Sequence, residues 1–139
     1  MQKIMEYQNT EIKTSDNVKI ISLLYDGAIS FIKIAKQRLQ EGDIAAKGLY
    51  VGKATAVVSE LATSLNMEAG GEISVNLRRL YDFILDRLLY ANMSNDEEAF
   101  DHVEGVLEIL RNAWRQIEKK SAVEVTPNMN RSMLREVRV

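Results

Sequence analysis

The stretch that most constrains this chain is ISVNLRRLYDFILDRLLYAN, residues 73–92. Its large apolar residues fall at Ile73, Leu77, Leu80, Ile84 and Leu88, at spacings of four, three, four and four. That is one stripe of an α-helix with a period near 3.6. A second row, Tyr81, Leu85 and Leu89, widens the stripe beyond a coiled-coil seam, while Arg78, Arg79, Asp86 and Arg87 take much of the remaining circumference. So wide an apolar face has to be packed on more than one side. It asks for other helices.

The 139 residues suffice for one domain with a sizeable core. One Pro and seven Gly among them favour long helices over a turn-rich β fold. A net charge of −2 offers no basic field for nucleic acid or an anionic membrane. The absence of Cys excludes disulfides, thiolate metal sites and thiol chemistry, and suits a reducing cytoplasm. No apolar run approaches the roughly 18 residues of a membrane span, and the N-terminus lacks a signal-peptide core.

Residues 1–15 are polar and weakly periodic and are expected to form a short N-terminal arm. A first helix is expected from Asp16 or Asn17, with Asp16 as N-cap. Its core face runs through Ile21, Leu24, Ala28, Phe31 or Ile32, Ala35 and Leu39, with Ile20 and Leu23 at its side. Gly27, in mid-helix, is expected to admit a close neighbour. Gly42 ends the helix and Asp43 caps the next. The second helix, 44–66, carries Tyr50 or Val51, Ala54, Val57 or Val58, Leu61 and Leu65. Gly48, Gly52 and Ala56 form a small-residue strip on it, read as close packing or local looseness. Gly70-Gly71 breaks the pattern before the third helix. The fourth starts at Asn95 or Asp96, where Asn95 and Glu98 have capping-box spacing. Phe100, Val103, Leu107, Leu110, Trp114 and Ile117 give its core stripe, with Trp114 as a buried anchor. From Ser121 the pattern fails, and Pro127 stops any continuation. Residues 121–139 are expected to be a flexible C-terminal tail, with at most a helical turn through Met129, Met133 and Val137.

The expected fold is therefore all-α: an antiparallel up-down-up-down four-helix bundle over residues 16–120. Leu24-Tyr25-Asp26 in the first helix echoes Leu80-Tyr81-Asp82 in the third, so these Tyr–Asp pairs could serve similar structural positions. Catalytic chemistry is missing. A di-iron bundle needs two Glu-x-x-His motifs, whereas the chain has a single His, with Ala99 three residues before it. His102 lies on the acidic, solvated side of the fourth helix. No phosphate loop or nucleophile elbow is present. No enzyme activity, cofactor or metal is expected.

Three segments carry a family resemblance: LLYDGAISFIKIA (23–35), MEAGGEISVNLRRLYDFILDRLLYAN (67–92), and ND-x-x-x-F-x-x-VEGVLEILRNAW (95–114). The LYDG, NL-x-x-LYD, RL-x-x-AN and final AW elements, in this order and spacing, resemble the FliS family, the secretion chaperones of flagellin. The similarity extends from about Tyr7 to Ile117. Tyr7 and Thr14 also match the family's N-terminal pattern, while Asp16-Asn17 stands where that pattern has Ser-Pro. Gly48 and Gly52 depart from it too.

The resemblance implies a cytoplasmic export chaperone. It would hold the disordered C-terminal segment of flagellin in apolar grooves, block premature polymerisation, and assist delivery to a flagellar export gate protein. Such binding is coupled folding in a helix-in-groove mode. Ordering the client costs on the order of 2–5 kcal/mol, which calls for a long interface. Apolar residues left over from the core then become candidate partner-binding residues: Leu23, Tyr50, Phe83, Tyr90 and Val106. Ile4 and Tyr7 join them, because the family's arm has a similar apolar-x-x-Tyr spacing. A homodimer formed through the same surface is the alternative.

Overall fold

The structure is a computed structural model that describes residues 2–124, with side chains from 19 to 120. Four helices follow one another: α1 (Gln2–Gln40), α2 (Ile44–Thr63), α3 (Met67–Ser94) and α4 (Glu97–Glu124). Each packs on its neighbours in sequence, and α4 closes the ring against α1. This is the expected all-α antiparallel bundle. Its α1–α2 contact is the most extensive and its α3–α4 contact the least.

The corners follow from local chemistry. Gly42 adopts φ 79°, a left-handed conformation that only glycine reaches without steric cost. The Asp43 amide then donates to the Arg38 carbonyl at 2.9 Å, closing the end of α1. Asp43 Oδ1 accepts from the Ala46 amide at 3.1 Å and caps α2. α2 stops at Thr63, short of the expected residue 66, because Asn66 turns outward to cap α3 and accepts from the Ala69 amide. The expected break falls at Gly71, which sits inside α3 at φ 53° and ψ −128° and divides its first turn from the rest. Ser74, fully buried, ties the two parts together by donating to the Asn66 carbonyl at 2.9 Å.

Several sequence expectations are corrected. The α1 backbone is helical from Gln2, well before Asp16. Residues 2–15 contain no Gly or Pro and include two each of Gln, Glu and Lys, all good helix formers, so nothing in them breaks a helix. The side chains of Ile4, Tyr7 and Asp16, and all of residues 125–139 with the suggested turn through Met129, lie outside the described residues. At the α3–α4 corner Asp96, not Asn95, caps α4, accepting from the Ala99 amide at 3.2 Å. Asn95 instead ends α3 in the left-handed conformation, φ 49°. Gly27 is no close-contact site: a Cβ placed there meets nothing within 4 Å.

The core contains Tyr25, Ala28, Ile32, Val58, Leu61, Tyr81, Ile84, Leu88, Phe100, Val103 and Leu107, with Trp114 only 4% exposed. On α3 the buried row is Ser74, Tyr81, Ile84, Leu88 and Ala91. Ile73 and Leu89, expected inside, face out. The row is anchored at both ends by small residues, to which a search for large apolar side chains is blind. At its centre the Tyr25 and Tyr81 phenols hydrogen-bond each other across the bundle diagonal. Burial pushes both phenols above the ordinary tyrosine value; for Tyr25, where the neighbouring Tyr81 adds to the effect, the rise is large, while for Tyr81 the hydrogen bond to Tyr25 works against it.

Candidate partner-binding surface

The four seams of the bundle differ in chemistry. Between α1 and α4 runs a row of ion pairs. Asp26 accepts from Arg115 at 2.9 and 3.1 Å and lies 3.4 Å from Arg111. Lys33 faces Glu108, while Lys36 bridges Asp101 and Glu104. The hydrogen bond to Asp101 is the main cause that raises the Lys36 amine above its ordinary value. Helical spacing of three and four puts these groups on facing flanks, so the seam is laced along its length.

The α1–α2 seam is aromatic and open. Phe31 and Tyr50 have ring centroids 6.2 Å apart, and the Lys53 ammonium lies over both rings, at 5.7 and 5.2 Å. Four and eight residues before Phe31 stand Gly27, with open space above it, and Leu23, 59% exposed. The helical repeat stacks these three along one side of α1.

The α2–α3 seam is closed at one end by Lys47. Its side chain is buried, and Nζ donates to the Asn92 carbonyl at 2.8 Å and to Asn95 Oδ1 at 2.6 Å. The amine thus meets the negative end of the α3 dipole and one of its unpaired carbonyls. Beside it, Gly48 has only Asn92 Oδ1 at 4.0 Å from a would-be Cβ, and Gly52 has nothing within 4 Å. The glycine strip is therefore not packed tight; it is an uncovered face. Exposed Ile44, Leu89 and Met93 stand at this end of α2 and α3.

On the α3–α4 seam Phe83 meets His102 edge to face, centroids 5.9 Å apart and planes at 79°. Val106, one turn beyond His102, is half-buried against the core. One turn beyond Phe83, the Arg87 guanidinium lies 5.0 Å from the Tyr90 ring centroid. Phe83 and Tyr90 are both exposed.

The predicted site residues therefore fall into two groups. Phe83, Tyr90 and Val106 share the α3–α4 seam, whereas Tyr50 lies on the α1–α2 seam against Phe31, and Leu23 stands on the outer side of α1 two turns before Phe31. Sequence reasoning did not single out Arg87, Lys53, Leu49, Leu89, Met93 or Ile109. The last four are exposed, and Met93 reaches 76%. The available signal was how few charges α2 carries: Lys47, Lys53 and Glu60 in 20 residues. With Lys47 buried, that leaves most of its outward side uncharged.

A helical bundle laced on one seam and apolar on the other three is a protein-binding scaffold. No constellation of His, Asp or Glu that could hold a metal occurs among the described residues, nor does any helix there that is long and apolar enough to cross a membrane. The chain belongs to the FliS family: the family model described as flagellar protein FliS matches residues 1–121. It is 41% identical over 107 residues to the flagellar secretion chaperone FliS of Salmonella typhimurium, covering 76% of this chain and 79% of that one. The FliS chaperone of Vibrio cholerae is 35% identical over 109 residues, 78% of this chain and 80% of its own. That of Bacillus subtilis is 32% identical over 110 residues, with coverages of 79% and 81%. A chaperone is not an enzyme class.

Proposed function

We propose that this protein is a cytoplasmic export chaperone whose client is the C-terminal segment of flagellin. The client lies in apolar grooves of the bundle, is kept from polymerising, and is handed on to a flagellar export gate protein. One observation carries the reading: exposed apolar residues stand along three consecutive seams, and the ion pairs that join one helix to another among the described residues all lie on the fourth. A single extended client can pass over Leu23 and Tyr50, across the glycine-lined side of α2, and reach Phe83, Val106 and Tyr90 without crossing the charged row. A long wrapped path of this kind supplies the contact area that ordering a disordered segment requires. The relatives' role as flagellar secretion chaperones agrees with it. Ile4 and Tyr7 belong to this reading as an arm that bears on client or gate binding.

The deciding experiment is a calorimetric titration with flagellin and with flagellin lacking its C-terminal segment. Binding by the first and not the second is expected, while equal binding of both overturns the reading. The same apolar surface could bury itself in a homodimer. Mass measured across dilution, with and without the segment, separates the two: a dimer that persists and ignores the segment would favour self-association.

A further inference from the structure

Among the described residues, Arg87 is a cation without a counter-ion. Ion pairs there join Lys33, Lys36, Arg38, Arg78, Arg111 and Arg115 to carboxylates, and Arg87 is in none of them. Its side chain is not a freely solvated one either. The residue is half-buried, its Nε is shielded from solvent, and that Nε has no hydrogen-bond partner. The guanidinium lies over Tyr90, whose ring is exposed. With Nε shut off from both water and any acceptor, the charge is left to the two terminal nitrogens, neither of which is buried without a partner, and an incoming oxygen can meet it there.

Its surroundings define what that oxygen belongs to. Phe83, one turn away, and the Tyr90 ring are exposed apolar surface on the same side of α3. An occupant must therefore present apolar side chains to the rings and an acceptor to Arg87. A planar fork of donors, held by stacking on an aromatic face, matches a carboxylate, which takes two parallel hydrogen bonds from it. A backbone carbonyl can accept but leaves the charge uncompensated.

We propose that Arg87 is the charge anchor of the α3–α4 groove and receives a side-chain carboxylate of the docked client, an Asp or Glu flanked by apolar residues. This rests on the client-binding reading above and adds to it the chemistry that sets the client's register in one groove. Tyr90 positions the guanidinium; Phe83 and Val106 take the apolar flank.

The test is a double-mutant cycle by calorimetry, with full-length protein and the C-terminal segment of flagellin. Arg87→Gln should weaken binding about tenfold or more, the range for a charge-assisted hydrogen bond. Arg87→Lys, which keeps charge and loses the fork, should fall between the two. Each Asp or Glu of the segment is replaced in turn by its amide. One replacement should cost as much as Arg87→Gln and add nothing in that background, and the same pair should account for a reduced salt dependence. The melting midpoint of Arg87→Gln should stay close to wild type, which separates lost binding from lost fold. Two results overturn the anchor while leaving the chaperone reading intact: Arg87→Gln binding within twofold of wild type, or a loss that adds to every carboxylate replacement. Failure of the wild-type protein to bind the segment overturns both.

Discussion

Replacing Lys47 with Met isolates the interaction that fastens α2 to the end of α3. Lys47 is 3% exposed and donates to two oxygens, the Asn92 carbonyl and Asn95 Oδ1. Methionine keeps most of the apolar stem, so the cavity is small and the change falls on the amine. Hydrophobic replacement of a buried ion pair is often neutral because both charges go. Here only the donor goes, and the helix-terminal carbonyl stays behind with one partner fewer. Leaving a buried acceptor unpaired costs about 1–3 kcal/mol, and with Asn92 half-buried and Asn95 exposed the loss should fall in the lower part of that range. For a domain of this length the full range lowers the melting midpoint by roughly 3–12 °C. Thermal and urea unfolding measure it, the slope in urea serving as a check that the folded state keeps its compactness. Asn95→Gly supplies the coupling partner, since φ 49° suits glycine and the backbone is not strained by the change. In the Lys47→Met background Asn95→Gly should cost at least about 0.5 kcal/mol less than in wild type. A Lys47→Met protein within about 0.5 kcal/mol of wild type, with no coupling to Asn95, would show that the contact does not hold the corner.

Trp114→Ala should cost about 3–5 kcal/mol, as large core aromatics do; a loss under about 1 kcal/mol in urea unfolding would contradict its burial. Gly27→Ala should stabilise by about 0.5–1 kcal/mol, because the helix gains propensity and the added methyl meets open space; a destabilised variant would restore the close-contact reading. Free tyrosine ionises near pH 10. Tyr25 and Tyr81 are held protonated in the folded chain, so above about pH 10 only the unfolded chain releases these protons and stability falls as pH rises further. Ultraviolet titration should show both phenols ionising together with the loss of helical signal, and ionisation of either one ahead of unfolding would refute the buried pair. Ile4→Ala with Tyr7→Ala should leave the melting midpoint almost unchanged and alter client or gate affinity several-fold, each tenfold being about 1.4 kcal/mol; titrations of both partners that match wild type would remove the arm from the binding surface.

The helices were legible where a clean apolar stripe opposes a charged face. α4 shows this best: Phe100, Val103, Leu107 and Trp114 are all buried, as their spacing requires. On α1 and α3 the stripe is blurred, because small and polar residues share the buried row. Ser22, Tyr25, Ser74 and Ala91 are inside, while Leu23, Ile73 and Leu89 are outside. The Leu-Tyr-Asp echo carried half of its meaning. Both tyrosines occupy the centre of the bundle and bond to each other, but Asp26 pairs with α4, whereas Asp82 pairs, among the described residues, with Arg78 on its own helix. Glycine in mid-helix is ambiguous by nature: the same residue serves a tight contact and an open face, and only the neighbouring helix decides. The binding surface was legible as surplus apolar side chains and not as a place. Leu23 and Tyr50 turn out to lie on α1 and α2, apart from Phe83, Tyr90 and Val106 on the α3–α4 seam. Arg87 was illegible as a site, since a charged residue on an amphipathic helix reads as solvated until the burial of its Nε is known.

The charged seam and the bare ones depend on each other. An antiparallel bundle with apolar grooves on three sides has little in those grooves to fix how its helices slide, because apolar contact is non-directional. The α1–α4 row supplies what they lack. Along α1 its charges read Asp26, Lys33, Lys36; along the facing flank of α4, in the opposite sense, they read Arg115, Arg111, Glu108, Glu104, Asp101. Sliding α4 by one turn in one direction sets Asp26 against Glu108, and in the other direction sets Lys33 against Arg111. Single exposed pairs of this kind contribute about 0–1 kcal/mol and do not hold the fold. Their effect is to penalise the wrong registers, as charge patterns at helix interfaces do. With register set on the fourth seam and at the Lys47 corner, the remaining three can keep their apolar side chains for a partner.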